Sequence, residues 1–407
     1  MLARDVALTR IELVRPRGNA LGLTIVAVAL GVVFVGAIMP TPLYPLFRGA
    51  FGFSGVMLTL IYATYVLGNL AALLLFGRLA DQIGRRPVTW SAIGIGTAST
   101  VAFAAADATS WLFVARALSG CATGLAGGAA TAWLAELHPG HDTGAASRIS
   151  AAANFFGCAA GPLMGGLLAQ IAPEPLRLPF YAYFILLGAA AGVLAFAPET
   201  VAKRQRPAEV SLKPRLGVPQ GIRLQFLSPA VTAFAAFALI GFYAALVPSL
   251  LRESLHLSAP LVAGAIVAEL FGIAALTILS TGRLESRIAM LASLVLLLPS
   301  LWLLVVAQIV QSLPVLLIAA AGTGVSGGLG YRGSLEVVNR IAPADRRSEV
   351  VSSYLVVCFA GNSLPVIGIG LLSALAGSLI ADVTFAGVIT ALAGVAFLTG
   401  IKYAPQS

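Results

Sequence analysis

Of the sixteen acidic residues in this 407-residue chain, nearly all fall in polar breaks or at the ends of apolar runs. Glu269 is different, lying about ten residues from either end of the run 259–280. In a spanning helix rising about 1.5 Å per residue, that depth is close to the centre of a bilayer. A lone carboxylate is costly there. It must be protonated, paired or turned to a water-filled cavity, unless it serves as a structural acid bonded to a neighbouring helix. Arg116 sits about two turns into the run 110–134, deeper than an interfacial anchor needs, although a long side chain can snorkel outward. Its electrostatics suit an anionic substrate or a counter-charge to Glu269. These two residues are the candidates for ion coupling or substrate binding. Arg332 and Glu336, four apart near one end of 313–337, share a helix face and read as a gating or structural pair.

A second kind of chemistry is mechanical. Gly77-Arg-Leu-Ala-Asp81-Gln-Ile-Gly84-Arg85-Arg86 places one acid among cations in a tight turn between apolar runs. Asp81 can cap a helix or pair with arginines, and Gly77 and Gly84 let helix ends approach, so such contacts can lock one conformation and break in another. In the run 147–171, Gly157, Gly161, Gly165 and Gly166 line a helix for close, sliding contacts, and Pro162 permits a bend. Tyr62, Tyr65, Asn69, Asn154, Tyr243, Phe271 and Asn362 are polar or aromatic residues inside spans, and so are candidates to line a cavity. A cavity of that lining favours a modestly amphipathic or uncharged small molecule.

The elements that hold these residues follow from composition. Hydrophobic residues make up 59% of the chain and charged residues 10%, against roughly 45–50% and 25% in soluble domains. The solvent is therefore lipid, and the fold class is an all-α membrane protein. Apolar runs at 21–47, 55–76, 88–106, 110–134, 147–171, 180–197, 228–250, 259–280, 288–308, 313–337, 348–373 and 383–403 predict twelve spanning helices. The first is too long for a secretion signal and continues through Pro40, Pro42 and Pro45, so it reads as retained. Cys121, Cys158 and Cys358 lie within spans without metal-ligand spacing and read as small buried hydrophobes. No metal and no cofactor is expected, and no nucleophile–base or nucleotide-loop pattern suggests an enzyme.

Residues 198–227 carry Lys203, Arg204, Arg206, Lys213, Arg215 and Arg223 with four prolines, and read as a cytoplasmic linker between an N-terminal bundle, 1–197, and a C-terminal bundle, 228–407. With both termini in the cytoplasm, the linker cations, Arg4, Arg10, Arg15, Arg17, Arg78, Arg85, Arg86, Arg148, Arg283, Arg287, Arg340, Arg346, Arg347 and Lys402 lie inside. Only Arg48, Arg177 and Arg252 lie outside. The net charge of +9 thus sets orientation, and no nucleic-acid partner is implied. At an offset of roughly 203 residues, Pro139 through Gly166 can be laid against Pro343 through Gly368, which suggests two similar halves with a site near the midplane between them.

The turn at Gly77–Arg86 resembles the signature loop of the major facilitator superfamily. Arg116-x-x-x-Gly120-x-x-x-Gly124 is similar to that family's second motif, Gly157 through Gly166 to its antiporter motif, and Pro198-Glu199-Thr200 to the close of its first half. The resemblance implies two six-helix bundles of the major facilitator fold in the inner membrane of a bacterium, in the twelve-helix branch of drug:proton antiporters. It implies proton-coupled efflux of a small organic molecule by a functional monomer, with Arg116 assisting proton transfer. The chain departs from the pattern in two places. The first run holds no acid, which leaves Glu269 as the coupling group or the protein as an uncoupled importer or uniporter. The second-half loop, Ser280–Arg287, lacks the paired glycines and arginines, so the charged loop Asn339–Glu349 is the alternative latch there.

Overall fold

The computed structural model describes residues 19–77, 79–140, 142–201 and 216–404. Arg4, Arg10, Arg15, Arg17, Arg78 and the linker cations from Lys203 to Arg215 lie outside them. Because a bilayer core offers no water to backbone N–H and C=O groups, an apolar chain satisfies them within helices. The helices are α1 (Ala20–Phe51), α2 (Gly55–Phe76), α3 (Arg85–Ala104), α4 (Thr109–Leu137), α5 (Thr143–Ile171), α6 (Leu178–Leu194), α7 (Arg223–Glu253), α8 (Pro260–Ser280), α9 (Ser286–Ile309), α10 (Leu313–Ile341), α11 (Arg347–Ala376) and α12 (Ser378–Tyr403). Ten of them are long and apolar enough to cross a membrane. Of the other two, α3 is diluted by Thr, Ser and Gly, and α6 has 17 residues.

Local chemistry sets the ends. Asn19 caps α1, its Oδ1 accepting from Gly22 N at 2.8 Å, and Asp142 caps α5 by accepting from Ala145 N at 2.9 Å. Pro40 and Pro42 lack the N–H a regular helix needs, so α1 tightens to a 3₁₀ turn at Thr41–Leu43 and resumes at Tyr44. It stops at Gly52, whose φ of 69° is left-handed. Several helices outrun their apolar cores because polar end turns keep the helical bonding. In α12 this matters, since helix begins at Ser378 and takes in Asp382, which the apolar run starting at 383 leaves out.

These helices form two six-helix bundles. In the first, α4 packs on α2 and α3, and α1 packs on α5; in the second, α10 packs on α8 and α9, and α7 packs on α11 and α12. Two broad seams join the bundles, α5 against α8 and α2 against α11. Advancing each number by six exchanges these seams, as a twofold relation between halves requires. Large apolar side chains such as Leu67, Ile185 and Leu398 face outward, so hydrophobicity does not select the packed faces; small residues do. Gly157, Gly161 and Gly165 press on the α1 backbone at Gly31, Val35 and Met39, whereas Gly166 touches Pro260 of α8 and Gly264 touches Pro162. A β-carbon at either of the last two would strike a carbonyl of the opposite half.

Connectivity places Arg48, Arg177 and Arg252 at one end of the molecule and Arg85, Arg86, Arg148, Arg287 and Arg340 at the other. Most polar bridges between halves lie toward the Arg48 end. There Arg48 pairs with Glu253 at 3.1 Å, Thr41 Oγ1 donates to Ala244 O at 2.8 Å, and Leu261 N donates to Gln170 Oε1 at 3.3 Å. At the Arg85 end, Arg148 of α5 lies against Gly282 in the turn after α8.

Candidate functional site

Where the two seams converge, a cavity of about 90 Å³ is enclosed by residues of both halves. From the first half come Phe34, Ile38, Tyr62, Tyr65, Asn154, Phe155 and Cys158; from the second come Phe237, Ile240, Phe271, Tyr331, Leu355, Phe359 and Asn362. Asn362 Nδ2 donates to Tyr62 Oη at 3.0 Å, closing the wall across the α2–α11 seam. Phe155 lies 5.8 Å, centroid to centroid, from both Phe271 and Tyr331, and Tyr331 lies 5.8 Å from Phe237, so a row of rings continues from one half into the other. Among the described residues no acid or cation lines this space. At about 90 Å³ it is smaller than the roughly 300–1,000 Å³ of an organic-ligand pocket, so an occupant needs the halves to part; ring faces and a few hydrogen-bonding groups then suit a flat or modestly amphipathic molecule.

Five of the seven residues expected in the wall are there: Tyr62, Tyr65, Asn154, Phe271 and Asn362. Asn69 instead joins α2 to α4, donating from Nδ2 to Thr123 Oγ1 at 2.9 Å. Tyr243 is fully buried inside the second half, near Thr323 and Glu269. Residue type alone placed all seven in the membrane, but helix phase decides which reach the cavity.

Arg116 is fully buried between α1, α2 and α4. Nη1 donates to Ala37 O at 2.6 Å, and the guanidinium carbon lies 4.7 Å from the Tyr65 ring centre and 5.4 Å from that of Tyr62. Those rings form the cavity wall on their other side, so the cation stands one ring behind the cavity. Its Nε and Nη2, like the neighbouring Tyr44 Oη, have no hydrogen-bond partner among the described residues. Ring faces and one carbonyl are what hold this charge.

Glu269 is set apart from both. It is half-buried on the stripe of α8 that carries the exposed Ala265, Leu276 and Leu279, and its buried Oε2 has no hydrogen-bond partner among the described residues. It does not border the central cavity, and it makes no ion pair with Arg116 among the described residues. The opposite faces of α8 are taken by α5 and α10 through Gly264 and Ala274. Depth in the span was readable from sequence; direction around the helix was not.

At the Arg85 end the turn after α2 is held by a cluster of charged contacts. Arg85 reaches Glu136 of α4 with Nη2–Oε1 at 2.8 Å and Nε–Oε2 at 3.3 Å, and it also pairs with Asp81. Gly84, at φ 115°, turns the chain so that the N–H groups of Arg85 and Arg86 point at Glu199, donating at 3.0 and 3.2 Å. Thr200 Oγ1 adds a short hydrogen bond to Glu136, Arg86 Nη2 donates to Ala195 O at 2.7 Å, and Trp133 Nε1 donates to Pro198 O at 2.9 Å. Gly77 ends α2 just before the turn. Glu136 and Glu199 are members of this cluster that sequence reasoning passed over. Glu136 lacked a signal, but Glu199 stood in the quoted Pro198-Glu199-Thr200.

The second half builds its counterpart differently. Arg332, buried in α10, makes a two-point bridge to Glu336 at 3.1 and 3.2 Å and donates short hydrogen bonds to the carbonyls of Thr281 and Leu284 in the α8–α9 turn. This pair is therefore more than a solvated surface pair. The loop after α10, expected as the latch, shows a local Arg346–Glu349 bridge at 3.3 Å on its exposed face.

The sequence profile described as Major Facilitator Superfamily matches residues 26–366. Among curated proteins, the Quinolone resistance protein NorA of Staphylococcus aureus (strain MRSA252) is 26% identical over 217 residues, covering 52% of this chain and 54% of that protein. The class C Tetracycline resistance protein of Escherichia coli is 30% identical over 172 residues, 42% of each. The chain thus aligns with about half the length of these relatives or less. Among solved structures, a bacterial homolog of the human lysosomal transporter Spinster, crystallised inward-facing and unoccupied, superposes with a TM-score of 0.72 at 17% identity over 95% of this chain and 98% of that one. The human organic anion transporter MFSD10 gives 0.68 at 18% identity, over 93% and 99%.

Proposed function

The chain belongs to the Major Facilitator Superfamily, and on that premise we propose that it is a secondary active transporter exporting a small organic or drug-like molecule by alternating access. The central cavity between the halves is the observation that carries this reading. Its walls come from both bundles, so rocking one against the other exposes it to each side in turn. The bundles are 1–197 and 228–407, joined by 198–227, and the excess of cations at the Arg85 end sets that end in the cytoplasm of a bacterial inner membrane, with both termini. Polar bridges between the halves near the Arg48 end then describe a carrier shut to the outside. Resistance proteins for quinolones and tetracycline among the relatives support efflux of planar organic molecules, and the ring-lined cavity suits them.

Proton coupling is assigned to Arg116 and Glu269, the one behind the cavity wall and the other half-buried in the second half with no ion pair among the described residues. In proteoliposomes, an imposed pH gradient should drive accumulation of a planar fluorescent substrate, and a protonophore should abolish it. Glu269→Gln should uncouple transport while leaving exchange intact; full gradient-driven accumulation by that variant removes Glu269 from the mechanism. A uniporter is the second reading, favoured by the absence of any acid among the described residues that line the cavity. Transport that follows the substrate gradient alone and ignores the protonophore selects it.

A further inference from the structure

A second pocket, of about 280 Å³, opens at the Arg48 end, separate from the central cavity. Its wall includes Asp382 of α12, a carboxylate 5% exposed. Oδ2 accepts from Gln308 Nε2 of α9 at 2.7 Å, and no cation pairs with Asp382 among the described residues. A neutral amide orients a buried carboxylate but brings no countercharge, so a cation beside it is what favours its ionised form. The other charged groups in the wall, Arg48 and Glu253, are bound to each other at 3.1 Å and cancel. Ser249 and Ser373 add hydroxyls, and Phe242 adds an aromatic ring.

From this geometry we propose that the pocket binds a small organic ammonium ion entering at the Arg48 end, with Asp382 receiving the charged nitrogen. An ammonium supplies the missing countercharge and donates hydrogen bonds to the carboxylate and serine hydroxyls, while its apolar body rests on Phe242. The space is large for a bare metal ion, and no group of three His, Cys, Asp or Glu suited to a metal exists among the described residues. Arg48 comes from the first half and Asp382 from the second, so an occupant bridges the halves and holds this end shut. The site rests on neither proton coupling nor the substrate of the central cavity.

The test is isothermal titration calorimetry of the full chain in nanodiscs with benzylammonium, beside the neutral benzyl alcohol. The amine should bind and the alcohol should not. Asp382→Asn should weaken the amine about tenfold or more, whereas Asp107→Asn, at an exposed acid of the same end, should leave it unchanged. Should Asp382→Asn fail to fold, Ser249→Trp fills the pocket with Asp382 intact and should abolish binding. Equal binding of alcohol and amine, or undiminished amine affinity in Asp382→Asn or Ser249→Trp, overturns the proposal. Transport assays do not enter, so failure here leaves the efflux reading standing, and the reverse.

Discussion

Replacing Gly264 by alanine should tilt the molecule toward the conformation open at the Arg48 end. The added carbon falls on the Pro162 carbonyl oxygen and 2.9 Å from its carbon, where ordinary contact begins at 3.4 Å. The backbones of α5 and α8 must therefore part by about half an ångström or more. Both atoms belong to backbone, so no side chain can turn aside. Overpacking of this kind costs about 1–3 kcal/mol, and because the strain exists only while the seam is closed, the closed population should fall by roughly 5–150-fold relative to the open one. Spin labels on α1 and α7 near Arg48 and Glu253, measured by double electron–electron resonance, would report the change as a longer distance. Gly120→Ala is the control: its β-carbon strikes the Tyr65 carbonyl within the first half, so it should lower thermal stability without moving the distance distribution. The reasoning is refuted if Gly264→Ala leaves the distances as they are, or if Gly120→Ala shifts them equally.

Tyr62→Phe removes the bond to Asn362 across the α2–α11 seam, a loss of about 1 kcal/mol that should shift the same distance distribution about fivefold toward the open form. Glu136→Gln leaves Arg85 with a neutral partner in place of a two-point carboxylate; Glu136 is partly exposed, so a loss of about 1 kcal/mol is expected, read as a lower melting temperature and faster amide exchange at the start of α3. Arg116→Lys keeps the charge but not the flat cation that lies over two tyrosine rings, and should reduce transport about tenfold or more in proteoliposomes. Wild-type rates in the lysine variant would show that charge alone suffices.

The twelve helices and the paired halves were legible because lipid forces long apolar runs, and loss of water forces those runs into helices. The charged turn at Arg85 was legible because it needs glycine at Gly84 and charge at fixed steps. What sequence could not give was rotation about each helix axis. Helices apolar on all sides carry no amphipathic mark, so Glu269 could be placed at mid-membrane depth without showing that it faces away from the cavity. For the same reason sequence left open whether Asn69 and Tyr243 line the cavity or join helices. Asp382 escaped notice because the polar first turn, with Ser378 and Asp382, delays the apolar run past the start of the helix, and its partner Gln308 lies 74 residues away.

The two arginine clusters at the Arg85 end should answer differently to dissolved ions. In the first half, Arg85 is gripped by carboxylates that solvent reaches: Asp81 is 58% exposed and Glu136 37%. Mobile ions weaken such an exposed pair most at high salt, where at about 1 M the Debye length shrinks to about 3 Å, the length of the bridge itself. In the second half Arg332 also pairs with a carboxylate, Glu336, 37% exposed, but it holds two peptide carbonyls besides, which no counter-ion neutralises. Raising the salt concentration should therefore loosen one bundle's clasp before the other's, giving the molecule a lopsided response to ionic strength that its twofold architecture would not suggest.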